Sequence, residues 1–168
     1  MSSLISDSVE VHGSPDEVWA VIQDPDALAR VLPGSEAIEP TGPGSFRGVL
    51  AAKIQFMTVR ADVQARFEDE DRPRHLRLVI DGRPRGLAGS FHASIPFDLE
   101  AIAAERHGLA VDAITRVTYS VEMTASGRLA VFGEPLMRDT MRRQVAALVS
   151  NLDRELAERR APQTGPGR

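Results

Sequence analysis

Apolar residues recur along this chain at two different spacings, and the switches between them mark its elements. Near the start, Val9 and Val11 alternate with Ser8, Glu10 and His12, which predicts a short strand over Ile5 to Val11 with one buried and one wet face. A helix follows. Ser14 can cap it, Pro15 suits its first turn, and Glu17 stands at the capping-box position three residues on. Val18, Trp19 and Ile22 then point inward. Asp24-Pro25 signals a second short helix with Leu28, Val31 and Leu32 on its apolar side, and Pro33-Gly34 stops it.

From Phe46 onward the period is two. Pro40-Thr41-Gly42-Pro43-Gly44 reads as a turn. Val49, Ala51 and Lys53 fall in one register, and Val59, Ala61, Val63, Ala65 and Phe67 form the cleanest alternating series. Ile54 and Phe56 have the opposite parity, so a turn or bulge is expected near Gln55-Phe56-Met57. Glu68-Asp69-Glu70-Asp71 with Arg72-Pro73 makes a solvated turn before Leu76, Leu78 and Ile80. Asp81 to Gly86 is read as a strand break, after which Phe91, Ala93, Ile95, Phe97 and Leu99 alternate again. Pro96 among them implies an edge, a bulge or an early end to pairing. Ala101 to Ala113 reads either as continued strand with a turn at His107-Gly108 or as a short helical excursion, and Val117, Tyr119, Val121 and Met123 form the last strand.

The period then becomes helical from about Glu134 to Arg159. Met137, Met141, Val145, Leu148, Leu152 and Leu156 share one stripe, while Arg138, Arg142 and Glu155 project away from most of it. Residues 1–160 are expected to form a single domain, and the tail 161–168, with little to bury, is expected to be disordered. The elements together predict an α+β fold, a curved sheet closed by one long terminal helix.

Composition narrows the chemistry. The 168 residues, 42% hydrophobic, suffice for one substantial core. A net charge of -4, with 20 basic residues among 24 acidic ones, supplies no broad positive field for nucleic acid. No cysteine is present, which removes disulfides, thiolate nucleophiles and thiolate metal sites. His12, His75, His92 and His107 have no metal-ligand spacing, and Ser14, Ser35 and Ser90 have no evident base. The carboxylates at Glu68 to Asp71 occupy a polar turn where no pKa elevation is expected. The chain nominates no catalytic set and no intrinsic cofactor or metal, and an enzyme is the lesser expectation. Neither a secretory signal nor an apolar run near 18 residues is seen, so a cytoplasmic protein is expected.

Pro15-Asp16-Glu17-Val18-Trp19, Asp24-Pro25, Leu28-Ala29 and Leu32-Pro33-Gly34-Ser35-Glu36, taken together, resemble the opening of the family typified by the G component of carbon monoxide dehydrogenase. The family lies within the START-like (SRPBCC, helix-grip) superfamily. The likeness continues through Val63-Ala65-Phe67-Asp69, Gly86-Ala88-Gly89 and Gly127-Leu129-Ala130-Gly133, over roughly residues 5 to 152. It implies a helix-grip fold: about seven antiparallel strands wrapped around a long C-terminal helix, with two short helices after the first strand. Ser35 stands where the family often has cysteine, Arg83-Pro84-Arg85 replaces part of a glycine-rich region, and the tail lacks the hydrophobic anchor of some members.

The resemblance implies binding or transfer of an apolar ligand, a quinone or lipid, in a cavity between sheet and last helix. The alternative it implies is an accessory protein for maturation or membrane recruitment of a molybdenum hydroxylase such as carbon monoxide dehydrogenase. A peripheral position at the inner face of the membrane, with transient membrane contact, goes with either. A cyclase or hydrolase in a modified cavity is a third reading. Trp19, Leu32, Phe91, Phe97, Tyr119, Phe132, Met137 and Met141 are the candidate ligand-binding residues; for the aromatics and methionines ordinary core packing is the competing role.

Overall fold

The computed structural model describes residues 3–102 and 113–160. The expectations for most of Ala101 to Ala113 and for the tail 161–168 lie outside the described residues. Strand β1 spans Ser3–Val11, beginning slightly before the alternation predicts. Helix α1, Pro15–Ile22, starts with the full capping box: the Glu17 amide donates to Ser14 Oγ (3.1 Å) and the Ser14 amide to Glu17 Oε1 (2.8 Å). Helix α2, Pro25–Val31, is capped by Asp24, whose Oδ1 accepts from the Asp26 amide at 3.1 Å.

Six strands follow as a meander: β2 (Ser35–Gly42), β3 (Ser45–Ile54), β4 (Met57–Asp71), β5 (His75–Pro84), β6 (Phe91–Ile102) and β7 (Ile114–Ala125). With β1 they form one antiparallel seven-stranded sheet in the order β1-β7-β6-β5-β4-β3-β2. A 3₁₀ turn, Gly127–Phe132, leads into helix α3, Glu134–Arg160, which lies in the sheet's concavity. This is the helix-grip arrangement.

Directly paired residues share a face, so the register tells inside from outside. Val59, Ala61, Val63 and Ala65 of β4 are buried while Arg60, Asp62, Gln64 and Arg66 are exposed. Their partners Ala52, Leu50, Gly48 and Phe46 place the inner face of β3. Val49, Ala51 and Lys53 do share a register, but it is the outer one. Gln55, with φ of 57°, turns the β3–β4 hairpin, leaving Ile54 buried and Phe56 in solvent.

Two predicted breaks move. Pro40, Thr41 and Gly42 belong to β2, and the reversal occurs at Pro43-Gly44. Asp81 to Pro84 continue β5, paired with Gln64 to Ala61 of β4, and Gly82 lies under the Phe91 ring, where an added Cβ would sit 2.3 Å from Cζ. Pro96 occupies the middle of β6, an interior strand. The β6–β7 ladder skips Ile95 and Pro96, while Arg77 pairs Pro96 from β5.

Helix α3 is tied to both flanks of the sheet. Arg138 Nε donates to the Leu4 carbonyl of β1 (3.0 Å), and Arg143 Nη2 to the Lys53 carbonyl of β3 (3.0 Å). Farther on, Asn151 Nδ2 donates to the Val31 carbonyl of α2 (3.0 Å) and Asp153 accepts from the His12 amide (2.8 Å). Arg138 is thus half-buried rather than turned to solvent, and Glu155 is only 6% exposed. Its burial is stabilised by Arg30, which its place in the sequence does not reveal.

Candidate ligand-binding site

Between α3 and the inner face of the sheet the structure leaves a cavity of about 220 Å³. Its walls are apolar almost throughout. The floor is built from β5, β6 and β7, with Leu76, Leu78, Ile95, Phe97, Leu99, Val117 and Tyr119 among its residues. These sit at alternate positions, so each strand contributes every second side chain. Val18, Val21 and Ile22 of α1 close one end, Leu28 and Val31 of α2 with Leu32 and Pro33 close a side, and Met141, Val145, Leu148, Val149 and Leu152 of α3 form the roof.

Two polar groups touch this space. The Tyr119 ring is 7% exposed and packs against Phe97 with centroids 6.3 Å apart and planes tilted by 38°. Burial raises the phenol's pKa above its ordinary value, a shift that the Asp7 charge reinforces and the Arg142 charge opposes. Tyr119 therefore remains a neutral hydroxyl at physiological pH. Gln144 of α3, whose side chain ends in a carboxamide, is the other polar residue of the lining. Neither group is a strong acid, base or nucleophile.

The structure brings Leu32, Phe97, Tyr119 and Met141 onto the wall of this cavity. Trp19 is 2% exposed and packs in the adjoining core with Val11, Val18, Leu76 and Leu156. Phe91, Phe132 and Met137 gather in a separate apolar cluster with Leu4, Ile54, Val59 and Leu129, at the end of the sheet where α3 begins. Met141 also packs against that cluster and so joins the two regions. Sequence reasoning did not single out Gln144 or Leu50. Gln144 had a signal, since it interrupts the apolar stripe three residues after Met141.

A larger depression, about 810 Å³, lies against the outer side of the sheet between β3 and β7. Charged side chains line it, and several are engaged in pairs: Arg47 with Glu39 (2.7 Å), and His92 Nδ1 with Asp81 (2.7 Å). Asp62, held below the usual carboxylate range by hydrogen bonds from Arg85, completes the pattern. Mutually satisfied surface ions do not converge on a reacting atom, and size alone does not make this the functional cavity. Among the described residues no group of three or more His, Asp or Glu side chains could hold a metal ion, and no helix is long and apolar enough to cross a membrane.

The fold recurs in solved structures. A conserved protein from Geobacillus kaustophilus superposes with a TM-score of 0.77 at 22% identity, covering 90% of this chain and 93% of its own. The Zhui aromatase/cyclase from Streptomyces sp. R1128 gives 0.61 at 16% identity, with 96% and 97% covered. A protein from Thermus thermophilus gives 0.60 at 14% identity, with 94% and 99% covered. At these identities the likeness establishes the fold alone. No curated protein sequence matches the chain. The sequence profile of CoxG, the G component of carbon monoxide dehydrogenase, however, matches residues 8–157, nearly the whole helix-grip unit, and the chain therefore belongs to the CoxG family.

Proposed function

We propose that this protein binds and transfers an apolar ligand, a quinone or lipid-like molecule, in the cavity between the sheet and α3, with residues 1–160 acting as one domain. The carrying observation is a wall made almost entirely of aliphatic and aromatic side chains with one neutral hydroxyl and one carboxamide. Such a surface favours apolar matter by about 0.8 kcal/mol for each methylene it takes from water. The volume limits what enters. About 220 Å³ is below the roughly 300–1,000 Å³ of pockets that enclose a whole drug-sized ligand, so this space accepts a ring or a short chain segment.

Native mass spectrometry of the purified full chain, followed by lipid extraction, tests the reading. An apolar adduct that disappears on filling the cavity by Leu148→Phe supports it. A protein that carries nothing and takes up neither a short-chain quinone nor a fatty acyl probe removes it.

The family supplies a second reading, an accessory role in maturation or membrane recruitment of a molybdenum hydroxylase. Copurification with such an enzyme that survives Leu148→Phe favours this external-surface role over carriage.

A further inference from the structure

Among the described residues three large apolar side chains stand in solvent: Phe56 is 98% exposed, Val131 83% and Met57 47%. All three crown one end of the molecule. Phe56 and Met57 form the tip of the β3–β4 hairpin, whose base residue Ile54 is buried in one cluster with Leu129 and Met137. Val131 follows Leu129 in the 3₁₀ turn that feeds α3. The Arg143 guanidinium, donating to the Lys53 carbonyl at 3.0 Å, fixes hairpin and helix relative to each other. The protrusions therefore sit on a preformed frame.

Charge at this end runs against the chain as a whole. Segments 53–57 and 127–143 carry the cations Lys53, Arg128, Arg138, Arg142 and Arg143 against only two carboxylates, Glu134 and Asp139, in a protein of net charge -4. Both carboxylates are already paired within α3, Glu134 with Arg138 at 3.2 Å and Asp139 with Arg143. Lys53 and Arg128 are exposed.

We propose that this end docks on an anionic lipid bilayer, with Phe56, Met57 and Val131 entering the headgroup layer and Lys53 and Arg128 meeting lipid phosphates. Apolar side chains on separate tips, ringed by cations, suit a deformable interface that each can enter alone. A protein partner of ordinary stability needs about 800 Å² of complementary surface on each side, which three isolated protrusions do not offer. The docking face adjoins the cavity flank, since Lys53 follows Leu50 on β3 and Arg143 precedes Gln144 on α3. The inference rests on the carrier reading only for the purpose of docking.

Vesicle flotation with the full chain tests it, using phosphatidylcholine vesicles with and without phosphatidylglycerol. Expected is binding to the anionic vesicles that high salt weakens and that Phe56→Ser lowers at least about tenfold. The pair Lys53→Glu and Arg128→Glu lowers it by a similar factor, since each cation near an anionic surface contributes on the order of fivefold. All three positions are exposed, and circular dichroism verifies the variants' fold. Equal binding by wild type and Phe56→Ser overturns the proposal, as does absence of binding to anionic vesicles. A dimer in light scattering that Phe56→Ser dissolves also overturns it, assigning the patch to a second copy. Uptake of a short-chain quinone from solution is measured alongside: retained uptake with lost flotation faults the docking surface alone, and the reverse faults the carrier reading.

Discussion

Glu155 of α3 grips Arg30 of α2 through two hydrogen bonds, Nε to Oε1 at 2.9 Å and Nη2 to Oε2 at 2.7 Å, and Arg159 adds a third at 3.2 Å. The contact joins the long helix to the small helical layer that closes the cavity. Hydrogen bonding from Arg30 outweighs desolvation and holds the Glu155 carboxyl at about 2, below its ordinary 4.5.

A carboxyl whose folded pKa is depressed stabilises the fold above its unfolded pKa and loses that contribution as pH falls toward the folded one. The wild type is therefore expected to exceed Glu155→Gln in melting temperature by a full margin above pH 4.5, and by a shrinking margin between 4.5 and about 2. Thermal melts of both proteins across that range measure it. A margin independent of pH sinks the assignment.

Ser14→Ala removes the side-chain half of the capping box at the start of α1, where Ser14 Oγ accepts from the Glu17 amide. The expected loss is about 1 kcal/mol in urea unfolding, with an unchanged slope. Ser14→Asp is expected to restore most of it, and failure to do so would mean the serine acts otherwise than as a cap.

These caps were legible in the sequence because each is written in a few consecutive residues, and the alternation in β4 was equally plain. What escaped depended on partners remote in the chain. Glu155 read as a solvent-facing residue because Arg30 lies 125 positions away. Asp81 to Pro84 read as a break because glycine and proline usually interrupt strands, yet Gly82 gives room to the Phe91 ring. Helical spacing put Met137 and Met141 on one stripe, but α3 crosses from the Ile54 and Leu129 cluster to the cavity between them, so periodicity could not separate their surroundings.

Gly34 turns the chain from α2 into β2 with φ of 74°, and a Cβ there would meet the Ala51 carbonyl oxygen at 2.0 Å. The obstacle is backbone, and the Ala51 amide is itself bonded to the Gly34 carbonyl at 2.8 Å. Gly34→Ala is expected to cost about 2 kcal/mol or more. Equilibrium unfolding checks this, and a loss within a few tenths of a kcal/mol would contradict the described turn.

Leu148→Phe places added volume where the cavity already has space. Overpacking a filled core costs about 1–3 kcal/mol, whereas this substitution is expected to change stability by less than about 1 kcal/mol. Urea unfolding and quinone titration should separate, with stability kept and uptake reduced. A large loss of stability would show that no such space exists.

The pairing of β1 with β7 sets an order of assembly. Every neighbouring pair from β2 to β7 is also consecutive in sequence, whereas Val9 meets Val117 and Ile5 meets Val121 across more than a hundred residues. Loop-closure entropy delays the long-range pair, so the meander is expected to form before β1 joins its edge. Pulse-labelling hydrogen exchange during refolding should show β1 amides protected after those of β4 and β5; simultaneous protection would refute the order. Because α3 is anchored to β1 through Leu4 and, just beyond the strand, His12, the roof of the cavity settles only in that last step. A molecule that occupies the space therefore acts on the end of folding, slowing the departure of β1 and α3 while leaving the formation of the meander unchanged.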